Sequence, residues 1–219
     1  MLKPTARMIQ DNLDKLPTSL EDAFKASMDR IESQAREYSS IAKRVLAWIV
    51  CATRPLEPRE VQHALADEDG ETCFDEKNLF DIEEIIPTCA GLVSVDEKSN
   101  IIRLAHYTVQ EYFQTTWTQF FPEAHGRLAS SCIKYLCLDE FQHEPFGLVD
   151  EYEVPLDQFS FYEYSAKNWG YHAQKSYPDV NSQVQNFVQS EHALSHSHIF
   201  IRFSPICSPI WIENSGIRT

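Results

Sequence analysis

The residues of this chain whose types and spacing could do chemistry are few, and most of them are histidines. In "EHALSHSH", His192 and His196 are four apart and would share a helix face, with His198 close by, the spacing by which imidazoles collect a metal ion. Standing in a polar stretch, the three read more simply as a solvated segment, and no metal site is expected. His106 is placed differently. In "RLAHYTVQEYF", residues 103 to 113, a strand pattern gives way to a helix pattern with His106 at the joint, where Asp, Ser or Asn would cap the helix more simply. Thr108 and Glu111 fit a capping box, the hydroxyl taking one backbone proton and the carboxylate returning the bond. That assignment leaves the His106 imidazole free at a helix start, where backbone N–H dipoles attract an anion and a ring donor can add one charge-assisted bond.

Other chemistries are absent from the sequence. There is no GxxxxGK[ST], and no Gly is followed by Lys, so no triphosphate cradle is present. A GxSxG nucleophile elbow and an HExxH zinc pair are missing as well. No catalytic residue is assigned, and the chain is not expected to be an enzyme. The six cysteines include no CxxC pair and read as reduced cytosolic or nuclear thiols, with Cys132 and Cys137 as small core fillers.

The net charge is -14, and it is unevenly placed. Residues 1 to 60 hold ten Lys/Arg against nine Asp/Glu, and the rest of the chain holds nine against twenty-four. So acidic a body opposes phosphate backbones and anionic lipid. The most apolar stretch, Ile199 to Ile212, is interrupted by Arg202, Pro205 and Pro209 and falls short of the roughly 20 residues of a membrane span. With no signal-peptide pattern in Met1 to Leu20, a cytoplasmic protein is expected, made of one large or two small domains.

The elements that must position His106 follow from periodicity and turn chemistry. Pro17, Thr18 and Glu21 mark a helix start, after which Leu20, Phe24, Met28 and Ile31 recur at helical spacing. Ser39 or Ser40 opens a second helix, with Ile41, Val45, Trp48, Ile49 and Ala52 on one side, and Pro55 stops it. Pro58 suits the first turn of a short third helix carrying Val61, Ala64 and Leu65 inward. A fourth is expected from Asn78 to Cys89, with Pro87 against its last turn and Gly91 as a stop. "LVSVD" and "IIRLAH", joined by "EKSN", predict a hairpin, with an edge strand near Leu56. The helix launched at Thr108 would bury Val109, Tyr112, Phe113 and Trp117. A helix from Pro122 would bury Ala124, Leu128, Cys132, Tyr135 and Leu136, and one in "SFYEYSAKNWGYHAQK" would bury Phe161, Tyr164, Ala166 and Trp169. Between these two, Asp139 to Asp157 reads as an acidic loop.

This order predicts a mainly α protein: a leading helical segment over 1–38, a winged helix over 39–120, a helical linker over 121–190 that could begin a solenoid, and an irregular tail over 191–219. A winged helix that reads DNA needs cations on its third helix. Here "NLFDIEEIIPTC" offers Asp81, Glu83 and Glu84, and Asp96 and Glu97 offset Lys98 and Arg103 in the wing. Nucleic-acid binding is therefore the alternative reading, not the leading one. The aromatic run Phe159, Phe161, Tyr162, Tyr164, Trp169 and Tyr171 has acidic neighbours and predicts helix packing rather than a base-stacking platform.

Three groups of segments together resemble one family: "LPTSLEDAFKASMDRI" with "AKRVLAWIVCATRPLEPREVQHALA", then "CAGLVSVDEKSNIIRLAHYTVQEYF", then "YSAKNWGYHA". They are similar to the region that follows the nucleotide-binding NACHT domain in fungal NACHT and ankyrin-repeat proteins, a winged-helix domain that also carries a GPI inositol-deacylase label. The resemblance spans about residues 8 to 190 and implies a non-catalytic regulatory and scaffolding module of a STAND-type signalling NTPase. In that class the winged helix latches over nucleotide held by the preceding domain, and a histidine in a pattern like H-x-[ST]-x-Q-E-[FY] contacts the terminal phosphate of ADP. His106, with Thr108, Gln110, Glu111 and Tyr112, matches it, while Tyr107 departs from the Asp of plant relatives. The resemblance implies ADP or ATP only through an adjoining NACHT domain, no cofactor in the isolated chain, protein partners in cis or in trans including ankyrin repeats, and no nucleic acid or membrane. An orphan protein-interaction fragment with no nucleotide role is the other alternative. "HIFIRFSPICSPIWIENSGIRT" lacks the ankyrin pattern.

Overall fold

A computed structural model describes residues 19–66, 72–141, 158–176 and 181–190. Pro17 and Thr18, most of the acidic loops around 67–71 and 142–157, and the histidines and tail beyond residue 190 lie outside them. Among the described residues the chain forms eight α-helices and one two-stranded sheet.

Helix α1 (Leu20–Glu32) is capped by Ser19, whose hydroxyl accepts from the Asp22 amide at 3.1 Å, one residue later than the expected Thr18. It sends Met28 and Ile31 into the core, and Leu20 stays 62% exposed. Helix α2 (Arg36–Cys51) begins before the expected Ser39 or Ser40, and Ser39 lies buried inside its first turn. Its buried positions are Ala42, Val45, Leu46, Ala47, Trp48 and Cys51, wider than the single stripe expected, and Ile41, Ile49 and Ala52 are only half-buried. The reason is tertiary: α2 is the central helix, met by elements on several sides.

Helix α3 (Pro58–Leu65) opens on Pro58 as expected, with Glu57 and Glu60 forming a reciprocal capping box and Val61, Ala64 and Leu65 buried. The fourth helix is shorter than its pattern. Residues Glu76–Asn78 form one 3-10 turn, and α4 runs only over Ile82–Thr88. Asp75 and Asp81 each accept the amide two residues on, at 2.9 Å, so side chains compete with the backbone for the bonds a continuous helix would need. Pro87 removes a further donor. The chain then turns through Ala90 and Gly91, both at positive φ, where Gly91 at +82° is the stop its sequence position predicts. Gln34 and Arg30 of the α1 end donate to the carbonyls of Thr88 and Ala90, at and just beyond the α4 end, at 2.7 and 2.8 Å.

Strands β1 (Val93–Asp96) and β2 (Ile101–Leu104) pair antiparallel with Val93 opposite Leu104 and Asp96 opposite Ile101, joined through "EKSN". Leu56 adds one bridge, accepting the Ile102 amide at 2.9 Å. Helix α5 (Tyr107–Phe120) follows directly, burying Val109 and Phe113 and leaving Tyr112 and Trp117 half-buried. Helices α6 (Ala124–Leu136) and α7 (Tyr162–Lys175) form the most extensive helix pairing among the described residues, and α8 (Asn181–Gln189) leans on α6. Every residue expected to be buried on α6 and α7 is buried. The two halves share one core. Trp48 of α2, 2% exposed, meets the rings of Phe161 and Tyr164 edge-on at 5.1 and 5.7 Å.

Candidate functional site

The joint between β2 and α5 is built by local bonds. Ala105 donates to the Leu92 carbonyl at 2.9 Å, closing the hairpin, and the next residue turns outward in extended backbone, φ -146° and ψ 150°. That residue is His106, and it is the N-cap of α5. Its Nδ1 accepts the Thr108 amide at 3.3 Å and lies 2.9 Å from the Thr108 hydroxyl. The expected capping box of Thr108 and Glu111 is therefore not what starts the helix. Nδ1 sits on Cγ as Oδ1 does in Asn, so an imidazole in extended backbone reaches the same amide an Asn cap reaches.

The bond also assigns the tautomer. A nitrogen that accepts from an amide carries no proton, so the neutral ring holds its proton on Nε2. His106 is exposed, and beside it Tyr107 is 66% exposed with its ring 4.7 Å away. One nitrogen thus fixes the helix start, and the other offers a donor to whatever lies outside.

The third helix of the winged helix is acidic, and the wing pairs one of its cations. On α4, Glu83 and Glu84 are exposed and Asp81 caps the helix. In the wing, Arg103 pairs with Asp96 at 3.0 Å, and the same carboxylate accepts the Lys98 amide at 3.0 Å.

A second group of histidines, marked by no motif, lies at the seam between the winged helix and α6–α7. His63 of α3, 1% exposed, places Nδ1 2.8 Å from the Tyr135 hydroxyl of α6 and stacks on Phe74 at 4.5 Å. Its Nε2 is buried without a partner. Burial, and then the nearby Arg59 charge, push its pKa down to about 4. His172 of α7, fully buried, lies between Tyr164 and His125 of α6, and burial pushes it down to about 3. Arg54, after α2, makes two bonds to the buried Glu60 at 2.7 and 2.9 Å and sits over the Tyr164 ring at 5.2 Å. These partners are scattered along the chain, and no local spacing announces them.

The run Phe159 to Tyr171 packs inward apart from Tyr171. Cys132 is buried and Cys137 half-buried, and no disulfide joins the described cysteines. No described helix is long and apolar enough to cross a membrane, and among the described residues no group of three metal-ligating side chains is brought together. The wing, the helix order and the Leu56 bridge are the geometry of a winged helix, and residues 28–120 match the family model described as GPI inositol-deacylase, winged helix domain. Over residues 28–120 the chain is similar to this family. The matched domain runs from the second half of α1 to the end of α5, with α6–α8 beyond it. No curated protein and no solved structure matches the chain.

Proposed function

We propose that the chain is a non-catalytic regulatory and scaffolding module of a NACHT-type signalling NTPase. Its winged helix latches over a nucleotide-binding domain, in cis or in trans, and α6–α8 link that domain to a repeat region. The observation that carries this reading is the exposed His106 at the start of a 14-residue helix, its Nδ1 committed to the cap bond so that Nε2 is left as the donor. ADP or ATP enters only through the partner domain. A bond made to ADP in the closed state and lost on opening biases the hinge by about 1–3 kcal/mol. The paired Arg103 and the exposed carboxylates of α4 weigh against the nucleic-acid alternative.

The test must separate capping from sensing, and His106→Ser does so because a hydroxyl still caps. With the full chain joined to an ADP-loaded NACHT domain, His106→Ser is expected to speed ADP release by about 5- to 150-fold, the range of such couplings. Unchanged release, or no association with the domain, would remove the sensor role.

A further inference from the structure

A continuous line of hydrogen bonds that the nucleotide-latch reading does not use crosses the seam between the winged helix and α6–α7. Thr53, just beyond α2, donates its amide to the Tyr164 hydroxyl at 3.1 Å. That hydroxyl lies 2.9 Å from His172 Nε2, and His172 Nδ1 lies 2.9 Å from His125 Nδ1. Tyr164 and His172 are 0% exposed, and His125 is the half-buried end.

The order of protons follows from counting donors. The Tyr164 oxygen accepts from Thr53, and its own buried proton needs an acceptor, which His172 Nε2 supplies in this line. A bare Nε2 leaves neutral His172 with its proton on Nδ1, which donates to the bare Nδ1 of His125, whose proton is on Nε2. Each contact in the line then holds one proton.

A further proton does not fit. Taken up at His125 Nδ1, it forces His172 to carry its proton on Nε2, and the buried Tyr164 hydroxyl loses its acceptor. With both rings charged, two N–H groups 2.9 Å apart would face each other.

The surroundings give the charge no relief. Lys175 acts on His125 from α7, and Arg54 lies over Tyr164 with Glu60 and Glu163 drawn to it. Cys132 of α6 neighbours Tyr164, and Glu123 and Arg127, flanking His125, pair with each other at 3.2 Å. Trp48 and Trp117 present ring edges from α2 and α5, and Tyr171 closes the outer side. Burial thus keeps both rings neutral, with His172 down at about 3 and His125 below its ordinary value.

We infer that His125, His172 and Tyr164 form a proton-operated clasp: neutral, it holds α7 against α6 and, through Thr53, beside the winged helix, and mild acidification separates the rings and parts α7 from α6. The clasp acts with or without a neighbouring nucleotide-binding domain. Because the open state takes protons at the ordinary histidine value of about 6.5, closure is complete above that pH and weakens as pH falls below it.

Amide hydrogen exchange on the full chain at pH 7.5 and pH 5.0, corrected for intrinsic exchange, reads the opening. Protection of α7 is expected to fall at least about tenfold relative to the β1–β2 hairpin, since each proton bound on opening contributes up to tenfold per pH unit. His172→Gln keeps a donor and an acceptor without the charge, and is expected to abolish that α7-specific loss. If this variant does not fold, nitrogen-15 shifts of the wild-type rings decide, with His172 protonated on Nδ1 and His125 bare there at pH 7.5. Parallel loss in α7 and hairpin, pH dependence that survives His172→Gln, or both rings protonated on Nε2 would overturn the clasp.

Discussion

His106 and the seam histidines are the same side chain used in opposite ways. His106 bonds to a residue two positions away and stays exposed, so one nitrogen is committed locally and the other remains outward. His63 bonds to a residue 72 positions away and His172 to one 47 positions away, and both are closed off from water. The contrast shows that a locally satisfied histidine can be lent to a partner, whereas one satisfied across the fold is tied to the stability of the fold itself.

The largest expected effect tests whether the seam is a single core. Trp48→Ala should destabilise the whole chain by about 3–5 kcal/mol, because it empties a site lined from both halves; urea unfolding followed in both halves would show one joint transition moved, whereas a shift confined to the winged helix would split the core in two. Next comes pH. His63 and His172 are held below their ordinary value in the folded chain, so the unfolded chain binds more protons below about 6.5. Stability is therefore full above that pH and lost as pH falls toward 4, by up to about 1.4 kcal/mol per pH unit for each buried histidine. Thermal melts from pH 7.5 to 4.5 check the sign.

A smaller effect is expected from Tyr135→Phe, which leaves the buried His63 Nδ1 without its partner, at about 1–3 kcal/mol. The same measurement on His106→Ala should give the least, about 0.5–2 kcal/mol for a lost cap, and His106→Ser should restore most of it. If His106→Ala cost as much as Tyr135→Phe, the division between a lendable and a structural histidine would fail.

Much of the fold was legible because its signals are local. Pro58, Gly91, the "EKSN" turn and the buried faces of α6 and α7 all act within a few residues of where they are written. The shortened α4 was only half legible: its periodicity predicts a longer helix, and the Asp75 and Asp81 side chains that break it are also local, but they compete with the pattern rather than announce themselves. At the candidate site the position of His106 was readable and its duty was not. Thr108 and Glu111 have the composition of a capping box, yet the backbone enters the helix two residues earlier and brings Nδ1 to the amide first.

The sequence by itself determined the order of helices and hairpin and the placing of His106 at their joint, because periodicity and turn residues act over a few bonds of chain. Only the tertiary structure decided that α2 would be enclosed on several sides, and that His63 would meet Tyr135 and His172 would meet His125 and Tyr164. A buried polar group must find its partner wherever packing brings one within about 3 Å, and that distance has no counterpart in spacing along the chain.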